Sequence, residues 1–256
     1  MPVFHAIILG VVQGITEFLP ISSSAHLYLA PYILGWEYQG LGFDVALHWG
    51  TLLAVVWIFW RDYLAILKNP KMLGYLILAS IPAAFAGFFL QKQIETGFRN
   101  PLVSVITLSG FAVLLWYADK NNNSPQPSLK FREGERGLSW GRILFIGAAQ
   151  ALSLVPGVSR SGITATAGLF SGLSREQAVR FSFLLSGPAI FGAGLVALKD
   201  LREVNTALIA GFAAAAISGF LAIKFLLRYV SRRNFNIFVW YRIILAIVIL
   251  CIYLNR

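Results

Sequence analysis

The sequence contains little charge. Only 12% of its 256 residues are Asp, Glu, Lys or Arg, whereas an ordinary soluble domain has roughly 25%. Hydrophobic residues make up 57% of the chain, and the mean hydropathy is +0.71. This composition excludes a soluble globular domain and indicates an integral membrane protein.

Cysteine is almost absent. Cys251 is the only one, so no intrachain disulfide can form. Its position in the last apolar run is typical of a packing or lipid-facing residue. Lys and Arg are also missing before the first apolar run, and no small-residue cleavage pattern follows that run. We therefore expect no removable signal peptide and expect residue 1 to stay in the mature protein.

The net charge is nevertheless +10. Nucleic acid would be one explanation for so basic a chain. However, the Lys and Arg residues lie mostly in short loops between apolar runs and form no groove-sized patch. The charge therefore reflects membrane topology, and nucleic acid is not an expected partner.

The apolar runs of the first half have two lengths. Residues 3–12 and 27–34 are too short for a bilayer core, which needs about 20 helical residues, and a polar stretch with Pro20 separates them. Such an arrangement predicts a re-entrant helical hairpin, whose tip must be covered by protein or water. Three full-length runs follow, at residues 41–60, 73–90 and 102–118.

The second half repeats this order. Gly10 and Gln13 recur as Gly147 and Gln150, at a spacing of 137 residues. Gly, Ala and Ser recur in many membrane proteins through helix packing alone. Here the order of the runs and the polar chemistry recur together, which favours a duplication. The second half has short runs at residues 143–155 and 165–173 around a polar stretch at 156–164, full-length runs at 178–198, 207–227 and 237–254, and Ser159 and Ser161 in place of Ser22 and Ser24.

An odd number of spans in each half makes the second half enter from the opposite side of the membrane. We therefore predict an all-α integral membrane protein of two inverted repeats, each a re-entrant helical hairpin plus three transmembrane helices. The first repeat covers residues 1–120, a cytoplasmic linker loop covers 121–140, and the second repeat covers 141–256.

Lys and Arg are distributed unequally between the two predicted faces. The face with the N-terminus collects Lys92, Arg99, Lys199, Arg202 and Arg256, and the opposite face collects the larger number. Basic loops mark the cytoplasmic side. We therefore predict that both termini lie outside the cytoplasm.

The first polar stretch carries an acid, an amide and an imidazole at membrane depth. An ionisable side chain there costs roughly 2.5–3.5 kcal/mol on insertion scales, so it usually marks a functional cavity. Gln13 and Glu17 are four residues apart and share a helix face. They suit either a hard cation such as Mg²⁺ or Ca²⁺ or a base with an orienting amide.

The same stretch offers a nucleophile. Ser22, Ser23 and Ser24 precede His26, which could activate a hydroxyl. The alternative is structural: a hydrogen-bonded interior histidine, and serines that cap a helix after Pro20.

The second polar stretch supplies, in our interpretation, the one deeply placed arginine, Arg160. Small and hydroxyl side chains surround it close to a helix start, a composition that favours an anion site. A guanidinium can bind one phosphate through two parallel bonds. The alternative is an ion pair in which Arg160 and Glu17 neutralise each other. The surrounding residues are Gly157, Ser159, Ser161, Gly162 and Thr164.

The two polar stretches, in this order, resemble the undecaprenyl-diphosphate phosphatase family, the bacitracin-resistance proteins. The similarity covers essentially the whole chain. The family has Glu or Gln at the position of Gln13 and Glu at that of Glu17, so this chain cannot offer two adjacent carboxylates. The resemblance rests on Glu17, Pro20, Ser22, Ser23 and His26, on residues 156–162 with Thr164, and on residues 43–48 and 181–188.

The resemblance implies hydrolysis of undecaprenyl diphosphate to undecaprenyl phosphate and inorganic phosphate, with a divalent cation, Mg²⁺ or Ca²⁺. This reaction recycles the lipid carrier of cell-wall peptidoglycan synthesis and confers bacitracin resistance. The resemblance also implies catalytic roles for Glu17, Ser23, His26 and Arg160. It implies substrate binding by Gln13, Ser22, Ser159, Ser161, Gly162 and Thr164, and cation binding by Glu17 and Gln13.

The implied location is the bacterial plasma (inner) membrane, with the active site outside the cytoplasm. The expected partners are then the membrane and the polyprenyl diphosphate substrate. A second copy of the chain, forming a homodimer, is a further candidate partner.

Two questions stay open at this point. A transporter or flippase of a lipid phosphate or another anion would use the same inverted-repeat architecture. Within the phosphatase, Ser23 could attack phosphorus with His26 or Glu17 as base, His26 could itself attack, or Glu17 could activate a water. A phosphatidic-acid-phosphatase type of site is disfavoured, since only residues 24–26 are loosely similar to its motif.

Overall fold

A computed structural model describes residues 1–37, 40–98, 100–122, 138–197, 199 and 204–255. Within them the chain forms ten helices and no β-strand, which confirms the predicted all-α class. Six of these helices are long and apolar enough to cross a membrane. The chain is therefore a multi-pass membrane protein.

The helices have short and long members, in the predicted order. Two short helices come first in each half, and three long ones follow. They are α1 (Val3–Phe18), α2 (Ser23–Leu34), α3 (Leu41–Leu67), α4 (Pro70–Gly97), α5 (Pro101–Lys120), α6 (Trp140–Leu152), α7 (Arg160–Phe170), α8 (Arg175–Ala197), α9 (Thr206–Val230) and α10 (Asn236–Leu254).

The first short pair, α1 and α2, turns sharply at Pro20. The residue before a proline is disfavoured in the α conformation, and Leu19 is extended, with ψ 144°, so α1 ends at Phe18. Helix α2 runs until Gly35, whose left-handed φ of 68° ends it. We call residues 19–22 the first elbow.

Both arms of this hairpin are longer than predicted. Gln13 and Glu17 lie on the last turns of α1, and Ser23 and His26 lie on the first turns of α2. The apolar runs underestimated the helices because a polar side chain on a helix can face the protein interior without interrupting the backbone. The predicted site residues Gln13, Glu17, Ser23 and His26 are thus held by helices rather than by a loop.

The second short pair, α6 and α7, turns through residues 153–159, which we call the second elbow. Ser159 caps α7, because its Oγ accepts a hydrogen bond from the backbone N–H of Gly162 at 3.2 Å. Arg160 is therefore the first residue of α7, as Ser23 is the first residue of α2. Helix α7 begins inside the predicted polar stretch at 156–164, whereas α6 ends at Leu152, before the predicted end of its apolar run at residue 155.

Equivalent helices make equivalent contacts in the two halves. Helix α1 packs on α9, and its counterpart α6 packs on α4. Similarly, α3 contacts α9 while α8 contacts α4, and the pairs α3 with α8 and α5 with α10 contact each other across the halves. Exchanging the first five helices for the last five therefore reproduces this set of contacts.

Glycines let the short helices approach the long ones closely. A Cβ on Gly10 of α1 would lie 2.9 Å from the Cβ of Ala214 in α9. A Cβ on Gly147 of α6 would lie 2.7 Å from the carbonyl oxygen of Ala79 in α4. The recurrence of these two glycines is thus explained by close helix packing at equivalent places.

Part of the predicted organisation cannot be compared with the structure. Residues 123–137, which form most of the predicted linker loop at 121–140, lie outside the described residues, as do Arg99, Arg202 and Arg256 of the predicted charge asymmetry.

Candidate functional site

The two elbows meet at the carboxylate of Glu17, which is buried at the end of α1. Its Oε1 accepts a hydrogen bond from Nη2 of Arg160 at 2.7 Å. Its Oε2 accepts from Oγ of Ser23 at 2.5 Å and from Nε2 of Gln13 at 3.1 Å. Side chains far apart in the sequence thus converge on one acid inside a membrane protein.

The backbone of each elbow points the first side chain of the following helix at this acid. Ser22 has φ 76° and Ser159 has φ 71°, and they are the two non-glycine residues with positive φ in the described part of the chain. Such conformations cost about 1–3 kcal/mol and tend to cluster at functional sites. Ser23 and Arg160, which follow them, contact opposite oxygens of Glu17.

The serines of the two elbows also bond alike. Oγ of Ser22 lies 3.2 Å from Oγ of Ser24, and Oγ of Ser159 lies 3.3 Å from Oγ of Ser161. A similar pair of serines therefore accompanies both strained turns, although only Ser159 also caps the helix that follows.

Two polar atoms next to Glu17 are buried without a hydrogen-bond partner among the described residues. They are Nη1 of Arg160 and Oε1 of Gln13. An unsatisfied buried polar group costs about 1–3 kcal/mol, so a site that retains two of them is suited to a ligand. The guanidinium N–H suits an anion, and the amide oxygen suits a cation.

The Arg160–Glu17 ion pair is the structural alternative considered from the sequence, and the structure contains it. The side chains are 13% and 5% exposed, respectively. Neutralising Glu17 requires only one amino group of the guanidinium, and Nη1 remains available. The pair is thus compatible with a second role for Arg160.

His48 is a site residue that the sequence analysis missed. Its Nε2 lies 3.5 Å from Oε2 of Glu17, and its Nδ1 donates to the carbonyl oxygen of Asp44 at 2.7 Å. The available signal was a histidine inside the 27-residue apolar helix α3, which is as unusual at membrane depth as the polar stretches themselves.

Neither ring nitrogen of His26 is hydrogen-bonded to Ser23. Its Nδ1 lies 2.7 Å from the carbonyl oxygen of Ser22, and its Nε2 lies 2.7 Å from the hydroxyl of Tyr241 on α10. The hydroxyl of Ser23 instead faces Glu17. Of the two bases considered for Ser23, Glu17 is the one within hydrogen-bond distance in this conformation.

The polar side chains at the start of α7 are buried and bonded within the protein. Oγ of Ser161 donates to the carbonyl oxygen of Leu19 at 2.9 Å, which ties the start of α7 to the first elbow. Oγ1 of Thr164 donates to the carbonyl oxygen of Arg160 at 2.7 Å and lies 2.6 Å from Oγ of Ser182. These contacts fix the start of α7, from which Arg160 projects.

The expectation that Arg160 is the one deeply placed arginine is wrong. Arg242 on α10 is 0% exposed. Its Nη2 donates to the carbonyl oxygens of Gly157 at 2.9 Å and Val158 at 3.1 Å, and its Nε donates to that of Leu108 at 3.2 Å. An arginine inside an apolar run was the available signal, but the run as a whole was assigned only as a membrane span.

The donor atoms at Glu17 match a cation that is shared with a substrate. No group of three or more His, Cys, Asp and Glu side chains in the described ranges could hold a metal ion by itself. Mg²⁺ is commonly bound through one or two carboxylates together with substrate phosphates. One carboxylate and the unpartnered Oε1 of Gln13 fit that kind of site.

Comparison with known proteins gives a consistent result. Residues 6–248 match the family described as bacitracin resistance protein BacA. The undecaprenyl-diphosphatase of Pelotomaculum thermopropionicum is 48% identical over 263 residues, covering 98% of this chain and 97% of that protein. That of Moorella thermoacetica is 48% identical over 269 residues, covering 100% of both chains. The similarity therefore extends over the helices as well as the elbows.

Proposed function

The chain belongs to the BacA family of bacitracin resistance proteins, and from this membership we propose that it hydrolyses undecaprenyl diphosphate to undecaprenyl phosphate and inorganic phosphate. The observation that carries the proposal is the contact between Glu17 and Arg160, which joins the two elbows and leaves Nη1 of the arginine available. The reaction would recycle the lipid carrier of cell-wall synthesis.

Arg160 is the proposed ligand of the terminal phosphate. An incoming diphosphate competes with Glu17 for the guanidinium, and two parallel N–H bonds hold one phosphate better than a point charge does. The same contacts stabilise the charge on the transferring phosphoryl group. Ser159, Ser161, Gly162 and Thr164 hold the start of α7 behind it, and Ser22 does the same for α2.

Ser23 is the proposed nucleophile and Glu17 its base. The hydroxyl oxygen attacks the terminal phosphorus, its proton passes to Glu17, and the bond from phosphorus to the bridging oxygen breaks, releasing undecaprenyl phosphate. Water then attacks the phosphoserine, releases inorganic phosphate and restores the serine. The 2.5 Å contact between Ser23 and Glu17 supports this assignment. The competing route is direct attack by a water activated by Glu17.

A divalent cation, Mg²⁺ or Ca²⁺, is part of the proposal, held by Glu17 and Gln13. When bound, it would neutralise charge on the diphosphate oxygens. The support is the buried Oε1 of Gln13, which has no partner in the part of the chain that the structure describes.

Phosphate release tests the function. Purified protein in vesicles should release inorganic phosphate from undecaprenyl diphosphate, a chelator should stop the release, and added Mg²⁺ should restore it. A Glu17→Gln protein prepared in parallel controls for a contaminating phosphatase. Movement of the intact lipid across the bilayer without phosphate release would instead establish the transporter alternative.

Stereochemistry at phosphorus separates the two chemical routes. A chiral terminal phosphorothioate should be released with retention if a phosphoserine forms, because two displacements occur. Release with inversion would eliminate Ser23 as nucleophile and leave Glu17 as the base that activates water.

We propose inverted repeats, with both termini and the active site outside the cytoplasm of a bacterial plasma membrane. The recurring helix contacts and the two serines with positive φ support the repeats. The unequal distribution of Lys and Arg between the two predicted faces supports the orientation. In a Cys251→Ala background, single cysteines at Asn121 and Val204 should react with an impermeant thiol reagent from opposite sides. Reaction from one side only would overturn the topology.

A further inference from the structure

Helix α10 contacts both elbows through two neighbouring residues. Tyr241 reaches His26, which follows the first elbow, and Arg242 reaches the carbonyl groups of the second elbow. Neither residue belongs to the polar stretches, and the proposed reaction has so far used neither. Their positions raise the question of what α10 does for the site.

Arg242 fixes α10 relative to the second elbow. Its guanidinium donates to the carbonyl oxygens of Gly157 and Val158 on the elbow, and to those of Thr107 and Leu108 on α5. A fully buried cation that donates to four carbonyl groups holds backbone segments together at defined distances. The preceding residue in the chain, Tyr241, is consequently held at a defined place beside the site.

Tyr241 is bonded to His26 in a way that selects one form of the imidazole. The carbonyl oxygen of Ser22 can only accept a hydrogen bond, so Nδ1 of His26, 2.7 Å away, carries a proton. In the neutral ring Nε2 is then an acceptor, and the hydroxyl of Tyr241 donates to it at 2.7 Å. The two rings are nearly parallel, at 14°, which is consistent with a bond in the ring plane.

We propose that Tyr241 is a positioning residue of the active site. It holds His26 in the Nδ1–H form, with Nε2 at a fixed place, and Arg242 anchors the helix from which it does so. This inference rests on the proposed function and on the catalytic role that the family resemblance implies for His26. Removing a partner that orients a metal-binding histidine typically costs about 10–100-fold in activity, and we expect a loss of similar size here.

Tyr241→Phe tests the inference, since it removes the hydroxyl and keeps the ring. Phosphate release from undecaprenyl diphosphate should show kcat lowered by about 10–100-fold and KM nearly unchanged. Tyr253→Phe is the matched control, because Tyr253 lies on the same helix and is 38% exposed against 42% for Tyr241. The control should retain wild-type kcat.

Ring ¹⁵N NMR of histidine-labelled protein supplies a reading that a purely structural role would not give. Wild-type His26 should show the single Nδ1–H form, and Tyr241→Phe should convert it to a mixture of both tautomers. His5, which stacks on Trp36, and His48, which is bonded to the carbonyl oxygen of Asp44, are internal controls whose signals should not move.

Two results would overturn the proposal: wild-type kcat in Tyr241→Phe, or a lowered kcat with unchanged His26 signals, which would mean that Tyr241 acts by another route. Failure of the proposed function is a different result, namely no phosphate release from the wild-type protein. In that case unchanged His26 signals in Tyr241→Phe would still refute the Tyr241–His26 bond.

Discussion

The two elbows have similar backbone conformations but carry different side chains. Ser22 and Ser159 take the same unusual conformation, and each lies close to the serine two residues later. At the next position the first elbow has Ser23 and the second has Arg160. A common turn therefore delivers a hydroxyl from one side and a guanidinium from the other to the same carboxylate.

The acid and the histidine occur on one side only. At the spacing that relates the repeats, Glu17 corresponds to Leu154 and His26 to Ile163. Gln13 and Gln150 remain equivalent, and each has a buried Oε1 with no partner in the described ranges. Under the proposed function, the two halves use a similar turn for different roles, one supplying the acid and the nucleophile and the other binding the anion.

Replacing Glu17, the acid found in only one half, should have the largest effect on activity. Glu17→Gln retains the shape of the side chain but replaces one acceptor oxygen with an NH₂ donor, and it can neither take a proton nor neutralise a cation. We expect activity to fall by about 10²–10⁴-fold, the usual contribution of a general base. Phosphate release at saturating Mg²⁺ measures it.

Asp62→Asn is the matched control for this change, because Asp62 likewise accepts from an arginine, Nη2 of Arg180, at 2.6 Å. It should retain near wild-type turnover. Full activity in Glu17→Gln would show that the carboxylate is structural and that the first elbow is not an acidic half.

The specialised cation comes next. Arg160→Lys keeps the charge but loses the planar fork, so we expect about a 10²–10³-fold loss of turnover, by analogy with removal of an oxyanion donor. Arg180→Lys, which changes an arginine also paired with an acid, should have little effect. Near-normal turnover in Arg160→Lys would return this residue to a simple ion pair with Glu17.

The sequence predicted the helix order because hydrophobic run length reports membrane crossing directly. It located Glu17, Ser23 and Arg160 because polar side chains stand out against an apolar background. It placed the helix ends less well, since a polar residue such as Gln13 can face inward without breaking a helix. His48 and Arg242 were missed because each lies in a long apolar run that was assigned as a membrane span, and only the fold brings them to the elbows.

Replacing each of the two equivalent glutamines, Gln13 and Gln150, by glutamate should affect the stability of the protein differently. Gln150 donates to the carbonyl oxygen of Ala79 at 3.5 Å, so Gln150→Glu would place a carboxylate against that oxygen. We expect a loss of about 3 kcal/mol in the free energy of unfolding.

Gln13→Glu should be tolerated, because Arg160 and His48 lie beside Glu17, and it should strengthen the response to Mg²⁺. Thermal unfolding in detergent and Mg²⁺ titrations measure the two effects, and equal destabilisation by both changes would refute the idea that the halves differ electrostatically.

The smallest effect concerns the strained turns themselves. Glycine adopts positive φ without steric cost, so Ser22→Gly should relieve about 1 kcal/mol of strain. Ser24→Gly is the matched control: it loses the same contact between Oγ of Ser22 and Oγ of Ser24 but lies inside α2, where glycine is destabilising.

Ser159→Gly should gain less than Ser22→Gly, because Ser159 caps α7 and Ser22 makes no cap bond with its side chain. Thermal unfolding should therefore rank the melting temperatures Ser22→Gly above Ser159→Gly and both above Ser24→Gly. If Ser22→Gly instead unfolds at a lower temperature than Ser24→Gly, the serine hydroxyl stabilises the first elbow by more than its backbone strains it, and the two elbows are less alike than their φ angles indicate.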